Sequence, residues 1–122
     1  MEIFDLRGGF SEKSALEKSV DVLKRGGILL YPTETAYALG CDAGNSAAVA
    51  RIVRIKQRPP GKQFPLIIGN EAMARRLCKV NAQSAKLMKR FWPGPLTLVL
   101  SVRRGKGSVA VRVPGSAMAR AL

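Results

Sequence analysis

Three clusters of proline and glycine decide how this chain can be divided: Gly26-Gly27, Pro59-Pro60-Gly61 and Pro93-Gly94-Pro95. Proline has no N–H for a helix or a sheet ladder, and glycine accepts turn conformations that other residues resist. No regular element runs through such a cluster, so the pieces between them must form their own structure and then pack. Apolar spacing says what each piece becomes. Glu2–Leu6 reads as a short strand. Ser11 is placed as a helix N-cap, with Glu12 at the positive helix end and Leu16, Val20 and Leu23 at helical spacing up to the Gly26-Gly27 stop. Ile28–Tyr31 is an unbroken apolar run, predicted as a buried strand that ends at Pro32. Thr33–Thr35 is a polar turn, and Ala36–Cys41 is apolar around Gly40.

Asn45 or Ser46 caps a second helix reaching about Gln57, with Val49, Ile52 and Val53 on its inner face. After the Pro59-Pro60-Gly61 break, Pro65–Ile68 is a second short strand. Glu71–Cys78 and Asn81–Phe91 are helical, the latter with Leu87, Met88 and Phe91 on one stripe. Beyond Pro93-Gly94-Pro95, Leu96–Val102 is a strand, Arg103–Gly107 a basic turn, and Ser108–Val113 its hairpin partner. Ser116–Leu122 starts a last helix that ends without a cap or exit loop, from which a further C-terminal portion is expected. Strands alternating with helices predict an α/β layer arrangement. A chain of 122 residues is expected to be a single domain, spanning 1–122, and buries roughly two-thirds of its unfolded surface.

Composition removes several kinds of chemistry. The chain has no histidine, which excludes Ser-His and Cys-His relays and the common His-ligated metals. Cys41 and Cys78 lie far apart and outside any CxxC spacing. They read as small buried hydrophobes in a protein of the reducing cytoplasm. No apolar run reaches the roughly 18 residues of a transmembrane helix, so no membrane partner is expected. A net charge of +13, from 21 Lys and Arg against 8 Asp and Glu, attracts polyanions, whether nucleotides or RNA.

Three places can carry chemistry without histidine. Thr33 and Thr35 stand at the end of a strand, where α/β folds place ligands. Their hydroxyls either serve a substrate or simply make a turn. Lys56 and Arg58 fall at a helix end, with Lys62 beyond the Pro-Pro-Gly break. They either complement the helix dipole or clamp phosphate, lysine as a point charge and arginine as a fork. Arg112 is a charge in an apolar strand. It shares one face with Ser108 and Ala110, opposite Val109, Val111 and Val113. It must meet solvent, a carboxylate or a ligand. Trp92 between the helix and its breaker reads as structural, with base stacking the alternative. Arg103, Arg104 and Lys106 read as a solvated loop, with RNA contact the alternative.

Four segments taken together, GGILLYPTETAYALGC, the KxRP of Lys56–Pro59, FWPGPLTLVL of Phe91–Leu100 and VAVRVP of Val109–Pro114, resemble the YrdC/YciO family of threonylcarbamoyl-AMP synthases in order and spacing. The resemblance covers Val20 to about Leu122. It implies a YrdC-like (DHBP-synthase-like) fold: a twisted mixed β-sheet flanked by helices around a positively charged cleft. It implies an enzyme that joins L-threonine, bicarbonate and ATP, with Mg²⁺ carried on the ATP, into threonylcarbamoyl-adenylate and pyrophosphate. The product feeds a threonylcarbamoyl transferase complex that modifies tRNA adenosine. The alternative is a non-catalytic module on the same fold that binds double-stranded RNA or tRNA. By the same resemblance, Thr33 and Thr35 contact the amino acid and Arg112 grips its carboxylate. Lys56 and Arg58 face the phosphates and carry the catalysis, and Lys62 and Ser108 belong to the ATP site. The family carries a histidine after the Pro-Leu strand, where this chain has Gly69. It also continues for several tens of residues to a Ser-x-Ala-Asn-type motif. The Tyr37–Cys41 segment leans toward the YciO branch.

Overall fold

The computed structural model describes residues 1, 3 and 11–122, so most of the Glu2–Leu6 stretch lies outside the described residues. Helix α1 (Glu12–Lys24) begins where the Ser11 hydroxyl accepts the Ser14 N–H at 3.0 Å. It ends in a Schellman turn: Gly26 N–H donates to Leu23 O at 2.9 Å and Gly27 N–H to Val22 O at 2.7 Å. Gly26 has φ 75°, the left-handed conformation that glycine adopts without penalty.

The chain then makes a hairpin of β1 (Leu29–Pro32) and β2 (Tyr37–Gly40), antiparallel and in register from Leu29↔Gly40 to Pro32↔Tyr37. The apolar run around Gly40 thus becomes the strand that pairs with the first. Pro32 belongs to β1 as its last residue. The Thr33 N–H donates to Ala36 O at 3.0 Å, so the neighbouring pair Pro32↔Tyr37 falls at a non-hydrogen-bonded position, where a missing N–H costs nothing. β1 is not buried on both faces, as its apolar run suggests. Leu30 is 65% exposed, because only one face of a two-stranded sheet has something to pack against.

Helix α2 (Ser46–Ile55) is capped by Asn45, whose Oδ1 accepts the Ala48 N–H at 3.0 Å. Ala48 and Ile52 are its buried residues, while Val53 is 37% exposed. The helix stops short of Gln57 because the chain reverses there. Gln57 has φ 48°, and Gln57 N–H to Arg54 O (3.2 Å) and Arg58 N–H to Val53 O (3.1 Å) repeat the Schellman pattern.

β3 (Leu66–Ile67), α3 (Glu71–Leu77), α4 (Ala82–Phe91), β4 (Leu98–Ser101), β5 (Ser108–Arg112) and α5 (Ala117–Ala121) complete the described chain. The second sheet has the order β3-β5-β4. β4 and β5 form the expected hairpin, from Leu98↔Val111 to Ser101↔Ser108. β3 lies parallel to β5, which is possible because α3, α4 and β4 supply the long crossover a parallel pair needs. The fold is α/β with a mixed sheet and flanking helices, its strands divided between two small sheets.

The main core lies between the three-stranded sheet and α3 and α4: Ile68, Ala74, Cys78, Met88, Leu98, Val111 and Val113 are buried together. On α4, Met88 is buried but Phe91 is 45% exposed, so the expected Leu87, Met88 and Phe91 stripe turns outward at its end. Trp92 packs against this core and donates its indole N–H to Leu96 O at 2.7 Å, in line with the structural reading.

Candidate functional site

A cavity of about 1070 Å³ is lined by residues of β3 and β5 and by none of α3 or α4. Its walls come from α1, α2, the β1–β2 hairpin, the Lys62–Ile67 segment and β5. Five cations line it (Lys24, Lys56, Lys62, Lys106 and Arg112), against one acid, Asp42. A concave surface with that balance concentrates anions. Thr33, Thr35, Lys56, Lys62, Ser108 and Arg112, widely separated along the chain, all reach this one cavity.

The Thr33 hydroxyl is committed to its own turn. It donates to Ala36 O at 2.6 Å and accepts from the Ala36 N–H at 3.2 Å and the Thr35 N–H at 3.3 Å. Its one proton is therefore used, and in the 3.1 Å contact between the two threonine hydroxyls Thr35 is the donor. Thr35 keeps its lone pairs for a ligand donor, while Thr33 shapes the loop.

Lys56 reaches the cavity wall with its Nζ 5.6 Å from the centre of the Phe64 ring. Arg58 stacks on the same ring at 4.5 Å and donates Nε to Lys62 O at 2.9 Å and Nη2 to Gln63 O at 2.7 Å. Arg58 does not line the cavity in this conformation; it fastens the Lys62–Gln63 backbone that does. Phe64 is the partner that sequence spacing did not single out. It holds both cations of the Lys-x-Arg pair by cation–π attraction.

Arg112 donates Nε to Gly94 O at 3.0 Å and pairs through Nη2 with the Glu34 carboxylate. Glu34 also accepts from the Gly115 N–H at 2.8 Å and the Ser116 N–H at 3.4 Å. A carboxylate partner was one of three possibilities for Arg112 in the sequence. Which carboxylate was not legible, because Glu34 is 78 residues away. Beside Arg112 on the cavity wall is Tyr31. Burial pushes the Tyr31 hydroxyl up, against an opposing pull from the Arg112 guanidinium, so at neutral pH it is a phenol able to donate and accept.

Lys106, read from the sequence as a loop cation, also lines the cavity. The two cysteines part company. Cys78 is buried in the core, but Cys41 is half-buried on the cavity wall. Burial first, and then Asp42, push the Cys41 thiol up against the pull of Arg51. It therefore stays protonated at neutral pH and is a poor nucleophile.

The Sua5_yciO_yrdC family, described as telomere recombination, matches residues 21–122. The chain belongs to this family. It is 38% identical over 113 residues to the threonylcarbamoyl-AMP synthase of Thiobacillus denitrificans, covering 82% of this chain and 60% of that protein. The crystal structure of E. coli YciO superposes with a TM-score of 0.82 at 29% identity, over 92% of this chain and 58% of that one. P. abyssi Sua5 complexed with L-threonine superposes with a TM-score of 0.76 at 35% identity, over 92% of this chain and 35% of that one. The chain thus spans about 60% of the curated synthase it resembles.

Proposed function

We propose that this chain provides the cavity in which L-threonine, bicarbonate and ATP are joined into threonylcarbamoyl-AMP with release of pyrophosphate. The observation that carries the reading is the convergence of Thr35, Lys56, Lys62, Ser108 and Arg112 on one cation-lined cavity. The family membership and the threonine-bound Sua5 structure support it.

In this reading the Arg112 guanidinium takes the carboxylate of threonine and Thr35 accepts from its amine. The amine attacks bicarbonate and water leaves, giving a carbamate. A carbamate oxygen attacks the α-phosphorus of ATP, and pyrophosphate departs. Lys56 and Lys62 neutralise charge on the phosphates, and Ser108 lies at the nucleotide. Arg58 joins them by leaving its backbone partners or acts by holding Lys62 in place. Catalysis is then positioning and charge stabilisation, which needs no histidine. Among the described residues no three His, Cys, Asp or Glu side chains form a metal-binding group. In this reading Mg²⁺ is carried in on the triphosphate, and no step is assigned to it.

The test is pyrophosphate release from ATP that requires both threonine and bicarbonate. Lys56→Ala and Arg112→Ala should each lower it by at least tenfold, Arg112→Ala mainly through the KM for threonine. Pyrophosphate release indifferent to threonine would remove the reading. We infer further that the product is handed to a threonylcarbamoyl transferase complex acting on tRNA and that the chain works in the cytoplasm. No helix among the described residues is long and apolar enough to cross a membrane.

We infer a second, RNA-binding role from one observation. Eleven of the 21 Lys and Arg follow Glu71, and no Asp or Glu does. Helices α3 and α4 and the β4–β5 turn are therefore rich in cations, a charge that suits tRNA or double-stranded RNA.

A further inference from the structure

Both protein contacts of Arg112 fall on Nε and the adjacent Nη2 of its guanidinium. Nε–H points to Gly94 O at 3.0 Å, and one Nη2–H points to the Glu34 carboxylate. A guanidinium carries five N–H donors in a planar fork. The Nε–H and the neighbouring Nη2–H form its side edge; the second Nη2–H and one Nη1–H form its end, and the other Nη1–H lies on the Cδ side. The protein takes up Nε and the adjacent Nη2, while Nη1, at the end of the fork, has no protein partner among the described residues. Arg112 is also a wall residue of the cavity.

Glu34 is held just as firmly. Its second oxygen accepts from Gly115 N–H and Ser116 N–H, in the loop between β5 and α5. A Cβ at position 115 would lie 3.2 Å from Glu34 Cγ, so glycine there lets the carboxylate come close to the backbone. The turn of the β1–β2 hairpin is in this way tied to the far end of β5 through one side chain.

We propose that Glu34 is a positioning residue that locks Arg112 by its side edge and presents the end edge to the carboxylate of the amino-acid substrate. The inference rests on the reading that Arg112 receives that carboxylate. A free arginine side chain loses much rotamer freedom on binding; one already fixed on two sides does not. A charged partner matters because a carboxylate–guanidinium bond is roughly twice as strong as a neutral one. The incoming carboxylate meets the opposite end of the fork, so the two anions share the cation without contact.

Two measurements test this on the 122-residue chain. In ¹⁵N NMR spectra, the Arg112 Nε–H should exchange slowly and the guanidinium should rotate slowly about Nε–Cζ. Glu34→Ala should release both, and Glu34→Gln should release them in part. Titration with L-threonine and with threoninol, which lacks the carboxylate, gives the second readout. The unaltered chain should prefer threonine by at least tenfold. Glu34→Ala should lose most of that preference while its affinity for threoninol stays the same. Glu34→Gln keeps an acceptor for the backbone N–H groups and carries the test where the alanine variant fails to fold; it should lose the preference several-fold. If Glu34→Gln leaves both the Arg112 signal and the preference intact while Arg112→Ala abolishes the preference, the lock is wrong and the carboxylate reading stands. If the unaltered chain does not distinguish the two ligands, the carboxylate reading fails and the lock fails with it.

Discussion

Cys78 shows how a single side chain can record its surroundings in a pH profile. It is 1% exposed in the core, and burial pushes its thiol above the ordinary 9.0. The neutral thiol is favoured in the folded chain, so above pH 9.0 the unfolded chain binds fewer protons and stability falls as pH rises. Cys78→Ala should flatten the alkaline limb of a urea-denaturation profile taken between about pH 8 and about pH 11, at the cost of a small cavity. A limb unchanged by the substitution would assign the slope elsewhere, Tyr31 and Cys41 being the other groups whose protons are held by burial. Core packing is tested by Met88→Ala, which should lower stability by about 2–5 kcal/mol because Met88 is 1% exposed amid the sheet–helix core.

At the scale of elements, α1 and α2 end in the same turn with different residues. Gly26 carries it after α1 and Gln57 after α2, both at positive φ. A side chain in that conformation costs roughly 1–2 kcal/mol, and glycine loosens the unfolded chain by about 0.4–1 kcal/mol. Gln57→Gly should therefore stabilise the chain by about 0.5–1 kcal/mol, read as a rise in the urea midpoint. Gly26→Ala should do the opposite and by more. Its Cβ would come within 2.6 Å of Asn45 Nδ2, the residue that caps α2. Asn45→Ala tests that cap directly and should cost about 1 kcal/mol. These turns matter to the site because Lys56 is the last residue before the Gln57 reversal, and the reversal sets where the Lys-x-Arg pair can reach.

Across the whole molecule charge is unevenly spread: every acidic residue lies at or before Glu71, while eleven cations follow it. In the proposed reading the five cavity cations serve small anions, and the cations of α3, α4 and the β4–β5 turn outside the cavity serve extended ones. Affinity for duplex RNA should fall about a hundredfold between about 50 and about 200 mM salt if about four phosphates are contacted. Arg76→Ala combined with Arg104→Ala should reduce the logarithmic salt slope by about 2. A slope indifferent to these cations would place nucleic-acid contact elsewhere. The pyrophosphate assay reports on the cavity alone, so the two roles are separable.

Much of the fold was legible because its instructions are local. Ser11 and Asn45 accept N–H groups three residues on, and a cap needs only its own turn. Gly26-Gly27 and Pro93-Gly94-Pro95 act through backbone geometry that no distant contact can override. The β4–β5 hairpin joins neighbours in sequence. The segments of the site were legible as well, since strand ends, helix ends and a charge in an apolar strand are visible in a string of residues. Tertiary structure alone decided the pairing of β1 with β2, since Thr33–Ala36 carries no strong turn signal and its shape depends on the Thr33 hydroxyl. It also decided the parallel place of two-residue β3, the stacking of Lys56 and Arg58 on Phe64, and the entry of Lys106 into the cavity wall. Above all, it decided that Glu34 meets Arg112. That pair depends on where a hairpin turn and a strand end come to rest after the core between them has packed, and no local rule relates positions so far apart.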